Sequence, residues 1–159
     1  MRTLLLVLTL FFLSVPVNGN AADPILTIGG LTDKTTNAPL HLTLEEFEAI
    51  GMTTVITKTP WHKEVTTFAG VSGTALMKFL GARGTEIDAV ALNDYKVAIP
   101  VSDFLNSGLI LATRKNGTPM SIREKGPIFV IYPFDANPNL DNEVIYGRSI
   151  WQVKELRIR

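Results

Sequence analysis

Residues 126–134 read GPIFVIYPF, and between Pro127 and Pro133 every side chain is large and apolar or aromatic. A run of this length without polar alternation reads as a strand with no wet face, and such a strand needs packed structure on both sides of it. The rest of the chain is cut into short pieces around it. ILTIGGL, 25–31, reads as a strand stopped by Gly29-Gly30. TLEEFEAIG, 43–51, reads as a short helix with Thr43 and Glu46 at capping-box spacing, Leu44, Phe47 and Ile50 on one face, and Gly51 at its end. MTTVITKT, 52–59, is β-branched and closed by Pro60, and VTTFAGV, 65–71, is a second strand. SGTALMKFLGARG, 72–84, has the clearest helical pattern, with Leu76, Phe79 and Leu80 as its apolar face and Gly81 or Gly84 to end it.

Two short strands, 88–94 and 95–100, flank an Asn-Asp turn, and a helical turn at 101–108 starts near Ser102. Residues 109–120 run into an Asn-Gly hairpin, and 149–159 form a terminal strand with one wet face. Seven or eight strands and two clear helices, without regular βαβα alternation, predict an α+β fold of mixed β-sheets with few short helices.

Arg2, the apolar run LLLVLTLFFL at 4–13, Pro16 and the small residues after it have the form of a signal peptide over residues 1–22. The apolar run is shorter than the roughly 20 residues a membrane span requires. The expectation is therefore an exported protein, periplasmic or secreted, with one domain over 23–159 and no stable membrane anchor after cleavage. Removing Arg2 leaves the acidic residues one ahead of the basic ones. A near-neutral chain lacks the basic stripe that nucleic acid demands. The chain has no cysteine, which excludes disulfides, thiolate metal ligation and cysteine nucleophiles.

VITKTPWHKEV, 55–65, gathers the side chains best suited to a site. Thr57, Lys58, Trp61, His62 and Lys63 can line a pocket: Trp61 offers a flat face, His62 titrates near neutrality, and the lysines attract an anion. The alternative is a polar loop with one half-buried tryptophan. Arg123 and Lys125 stand just before the apolar strand, where Arg123 suits a phosphate or carboxylate; the alternative is a solvated charged turn. Tyr132, Asp135, Arg148 and Trp151 can edge the same cleft, though for Trp151 a place in the core is the favoured reading. Asn93-Asp94-Tyr95 reads as a turn. His41 and His62 lack metal-ligand spacing, GVSG at 70–73 is not a nucleophile elbow, and a Ser72–His62 dyad demands much geometry. NGT, 116–118, fits a glycosylation sequon.

The ordered runs FAGVSGTALMKFLGARG, VALNDYKVAIPVSDF, ILATRKNGTPMSIREKGPIFVIYPF and RSIWQVKELRI together resemble the oxidoreductase molybdopterin-binding domain, the catalytic domain of the sulfite-oxidase family, over about residues 47–158. The resemblance implies that fold, and basic residues near strand ends that contact the cofactor's phosphate. It also implies a molybdenum-ligating cysteine upstream of Gly70-Val71. Aligning Trp61 and Gly70 with the family puts that position near Thr57, whose hydroxyl stays protonated and is a poor soft-metal ligand. Two classes of function remain in play. One is an exported binding or accessory protein that takes an anionic or aromatic ligand, or meets a neighbouring membrane protein, at a cleft of residues 57–63, Arg123, Tyr132 and Arg148, with no cofactor and no bound molybdenum. The other is a molybdopterin-dependent oxidoreductase that holds its cofactor without a protein thiolate.

Overall fold

The computed structural model describes residues 22–36 and 38–159; the expected leader, apart from Ala22, lies outside the described residues. In chain order the strands are β1 (Leu26–Gly30), β2 (Leu40–Leu42), β3 (Met52–Thr59), β4 (His62–Ser72), β5 (Glu86–Ala91), β6 (Lys96–Pro100), β7 (Ile110–Lys115), β8 (Thr118–Pro119), β9 (Phe129–Ile131) and β10 (Val153–Ile158). The helices are α1 (Leu44–Glu48), α2 (Gly73–Leu80), α3 (Val101–Asn106) and α4 (Glu143–Arg148). One sheet is ordered β2-β1-β10-β5-β6, and the other β3-β4-β7-β8 with β9 also on β7. The β1–β10 pair is parallel and its neighbours are antiparallel, so the sheet is mixed, as the α+β reading expects. Among the described residues no helix is long and apolar enough to cross a membrane.

Local chemistry explains the helix ends. The Thr43 hydroxyl accepts from the Glu46 N–H at 3.3 Å, and the Glu46 carboxylate accepts from the Thr43 N–H at 2.9 Å. Ser72 caps α2 by accepting from the Ala75 N–H at 3.1 Å, and Gly81 ends it in the left-handed region at φ 57°. Of the two glycines expected to end it, Gly81 rather than Gly84 is the one that does. Its buried face is Leu76, Met77 and Leu80; Phe79, expected inside, is only half-buried, with the Lys34 ammonium 5.1 Å from its ring centre. At the hairpin, Asn116 (φ 49°) and Gly117 (φ 83°) both take the positive φ that the tight turn needs. Gly70 is dictated by packing: a Cβ there would lie 2.1 Å from the Leu111 carbonyl oxygen on β7.

The apolar segment behaves as its composition demands, though its regular strand is only three residues long because Pro127 and Pro133 cannot donate to a ladder. Ile128, Val130, Tyr132 and Phe134 enter a large core that contains Ile28, Phe47, Leu76 and Leu156, while Phe129 and Ile131 enter a smaller one with Phe68, Ile110 and Met120. Its free edge then joins the approach to β10: the Val130 N–H donates to Ile150 O at 2.9 Å and the Val153 N–H to Ile128 O at 3.0 Å. The segment therefore stitches the two sheets together. Three expectations change. The final strand begins at Val153, after Gln152 turns at φ 56°, and lies between β1 and β5. The second strand of the 52–71 region starts at His62, which leaves Trp61 in a tight turn. The helix α4, which the sequence pattern does not announce, forms behind an Asn142 cap.

Candidate functional site

The β3–β4 turn carries Trp61 outward from the long hairpin and over the place where the two cores meet; its indole packs against both. Its ring centre lies 5.5 Å from Phe129, 5.8 Å from Trp151 and 6.1 Å from Tyr146, each edge to face, the arrangement aromatic quadrupoles prefer. His62, next along the chain, turns inward. Its Nδ1 is 2.8 Å from the Thr59 hydroxyl, and its ring centre is 5.4 Å from Phe68. Burial holds the His62 pKa below its ordinary value, and Lys115 and Lys125 add to the effect, so the neutral ring is favoured.

Beside Trp61 opens a cleft of about 440 Å³. Its walls are Trp61, Tyr95, Tyr146 and Trp151, with Asn93 and Ser149 among the polar groups and no Asp, Glu, Lys, Arg or His. Three further pieces of chain join the Trp61 turn to build it. The Asn93–Tyr95 turn is held by the Asn93 side-chain oxygen, which accepts from the Tyr95 N–H at 3.2 Å, and by Asp94 at φ 64°. Helix α4 brings Tyr146, whose hydroxyl donates to the Asp141 carboxylate; that bond pushes its pKa up. The lead into β10 brings Trp151. The Lys125 ammonium sits 3.9 Å above the Trp151 ring, and burial lowers the Lys125 pKa.

Only Trp61 of the expected site residues lines this cleft. Lys58 reaches a neighbouring depression of about 310 Å³ that it shares with Asp135 and Asp141. His62 is half-buried behind the turn, and Arg123 is exposed on a short 3₁₀ turn at Ile122–Glu124. Thr57 is fully buried: its hydroxyl donates to Lys58 O at 3.0 Å and accepts from the Asp135 N–H at 3.1 Å. Tyr132 is also fully buried, and burial, then the charge of Asp103, push its phenol pKa above the ordinary range. The Tyr132 hydroxyl and Arg148 Nη1 both donate to Asp103 Oδ2 at 2.9 Å, a junction that ties β9, α3 and α4 together. Trp151, expected inside, is 37% exposed. Ser72 caps α2 at the far end of the strand that His62 opens, on the order of 30 Å away by strand rise, so the two form no dyad.

Tyr95 and Tyr146 are the functional candidates that pattern reading misses. The available signal is weak: an aromatic directly after an Asn-Asp turn, and a Tyr-Gly pair outside any apolar periodicity. A larger groove, about 510 Å³, lies elsewhere between residues 24–27, 120–122 and Pro127. It has no aromatic wall to hold a ring.

No family model and no curated protein matches the chain. Solved structures match its shape. The sulfane dehydrogenase SoxCD from Paracoccus pantotrophus aligns with a TM-score of 0.57 at 17% identity, over 84% of this chain and 37% of that one. The chain thus spans little more than a third of the solved chain it resembles. The likeness shows the fold: a distant molybdopterin-oxidoreductase-like α+β domain.

That fold raises the question of a molybdenum cofactor, and the donor set here does not fit a metal held by the protein. There is no thiol anywhere in the sequence. The Thr57 hydroxyl, at the position the resemblance assigns to the ligand, is already engaged on both its donor and its acceptor side. Among the described residues no group of three or more His, Asp or Glu side chains converges.

Proposed function

We propose that this chain is an exported binding protein that takes a small aromatic ligand in the cleft beside Trp61, on a molybdopterin-oxidoreductase-like scaffold, without protein-anchored molybdenum. The observation that carries this reading is the convergence of Trp61, Tyr95, Tyr146 and Trp151 on one space with no ionisable Asp, Glu, Lys, Arg or His on its walls. Aromatic walls give a planar ligand large contact area at little cost in side-chain entropy, and the exposed Asn93 side chain offers a polar point for orientation. A phosphate would meet no cation there, so the aromatic class is favoured over the anionic one. Arg148 and Lys96, the cations adjacent in sequence to the cleft's lining residues, are paired with Asp103 and Asp88. The leader-like residues 1–22 support export, and a small exported binder suits an accessory role beside a membrane protein.

Both tryptophans of the chain line the cleft, so intrinsic fluorescence reports on it. Titration with neutral heteroaromatic rings is expected to shift the emission and raise Tm. A ligand at a hundred times its Kd adds about 2.7 kcal/mol. Trp61→Ala should abolish the response; Tyr95→Ala, at a 55% exposed position, should weaken it without touching the fold. No shift with any ring compound up to about 1 mM, the weak end of specific affinity, refutes the reading.

A second reading rests on the fold likeness: an oxidoreductase that holds a molybdopterin through the pterin alone. Elemental analysis of protein purified from its native source separates the two. Stoichiometric molybdenum replaces the first reading with the second.

A further inference from the structure

Strand β3 pairs with β4 and with no other described strand, so it is an edge of its sheet. It is eight residues long, MTTVITKT, with no proline, no acid and a single charge at Lys58. Natural edges of this length are normally blunted by such devices. The side of each backbone group can be read from its neighbours. Gly51 O accepts from the Ser72 N–H on the β4 side, while the Lys58 N–H points the opposite way, to the Asp135 carboxylate at 3.0 Å. Thr67, opposite Ile56, makes its backbone bonds with Asn116, away from β3. Backbone groups alternate sides along a strand. Met52, Thr54 and Ile56 therefore aim their N–H and C=O groups at the open edge. Their side chains share the exposed face, Met52 at 40% and Ile56 at 62%.

We propose that this edge receives a second copy of the chain, antiparallel, with a two-fold axis through Thr54. Opposed residues that face one another exchange both hydrogen bonds. Placing Thr54 against the partner's Thr54 sets Met52 against the partner's Ile56, and Ile56 against the partner's Met52. Every edge-facing group from 52 to 56 is then satisfied. The opposed side chains are threonine with threonine and apolar with apolar, and such cross-strand pairs stabilise by roughly 0.2–1 kcal/mol each. Sliding the register by two toward Lys58 would require its N–H, which Asp135 already holds. In the favoured register the two lysines fall outside the ladder and never oppose. The contact is isologous, so it closes at two chains. It does not depend on the ligand reading.

The absence of cysteine makes the register directly testable. Thr54→Cys places one thiol on the axis, where opposed Cα atoms lie about 5.5 Å apart, inside the roughly 4.4–6.8 Å disulfide range. Met52→Cys places it on the same edge, but about 13 Å from its own copy by strand rise. Mild oxidation should cross-link Thr54→Cys at least tenfold faster than Met52→Cys. In sedimentation velocity the wild type should dimerise reversibly between about 10 μM and 1 mM, the range of weak specific contacts. Thr54→Pro, which deletes an N–H aimed away from β4, should remain monomeric with an unchanged circular dichroism spectrum. If that variant fails to fold, Ile56→Lys at its exposed position serves in its place. Equal cross-linking of the two cysteine variants overturns the proposal. So does a wild type that stays monomeric throughout, whether or not the edge accepts a strand from another protein, and so does a dimer that survives the edge substitutions.

Discussion

Replacing Thr57 with valine keeps the shape of the side chain and removes only its hydroxyl. In the structure that hydroxyl bonds Lys58 O at 3.0 Å and the Asp135 N–H at 3.1 Å, while the Asp135 carboxylate returns to the Lys58 N–H at 3.0 Å. The three bonds clasp the end of β3 to the turn after β9. Each hydrogen bond lost is worth about 0.5–1.5 kcal/mol net. Asp135 is exposed, so water can replace part of what its N–H loses. The expected cost of Thr57→Val is therefore about 1–2 kcal/mol, or about 3–8 °C in Tm for a domain of this size. Thr57→Ser keeps the hydroxyl and deletes one methyl group, at about 1 kcal/mol. Thermal unfolding of both variants decides the matter. If valine is as stable as the wild type while serine is weaker, the hydroxyl does not clasp β3, and the case that Thr57 is engaged inside the fold fails.

His62 gives a pH signature. Its folded pKa is depressed, chiefly by burial, so the unfolded chain binds the proton more tightly, and stability is lost as pH falls from 7 through the ordinary histidine range. The Tm of the wild type should drop over that range, and His62→Gln should lose less; parallel profiles would refute this. Asp103→Ala strips Tyr132 and Arg148 of their shared acceptor and should cost about 2–3 kcal/mol in denaturant melts, against about 1 for Tyr132→Phe. Gly70→Ala drives a Cβ into the β7 backbone and should prevent accumulation of folded protein, read by solubility and circular dichroism.

The features that depend on near neighbours were legible in the sequence. The Thr43–Glu46 box, the glycine end of α2, the Asn116-Gly117 hairpin and the Asn93-Asp94 turn are each set within about four residues, because capping and turn chemistry act over one turn of chain. The two covered faces of GPIFVIYPF followed from composition, since water has no polar side chain to meet there. The lack of any thiolate ligand was equally a matter of the sequence alone. Tertiary structure decided which side chains meet. Trp61, Tyr95, Tyr146 and Trp151 come from a hairpin turn, a second hairpin, a helix and a strand lead, and no local spacing relates them. Tyr132 and Arg148, which look like site residues in isolation, are both turned to Asp103 on a third element. Thr57, expected on the wall of a pocket, is instead closed over by the Asp135 turn, far along the chain. Hydrogen bonds and ring contacts reach only a few ångströms, so the fold must first bring these distant segments together before they select which polar groups face solvent.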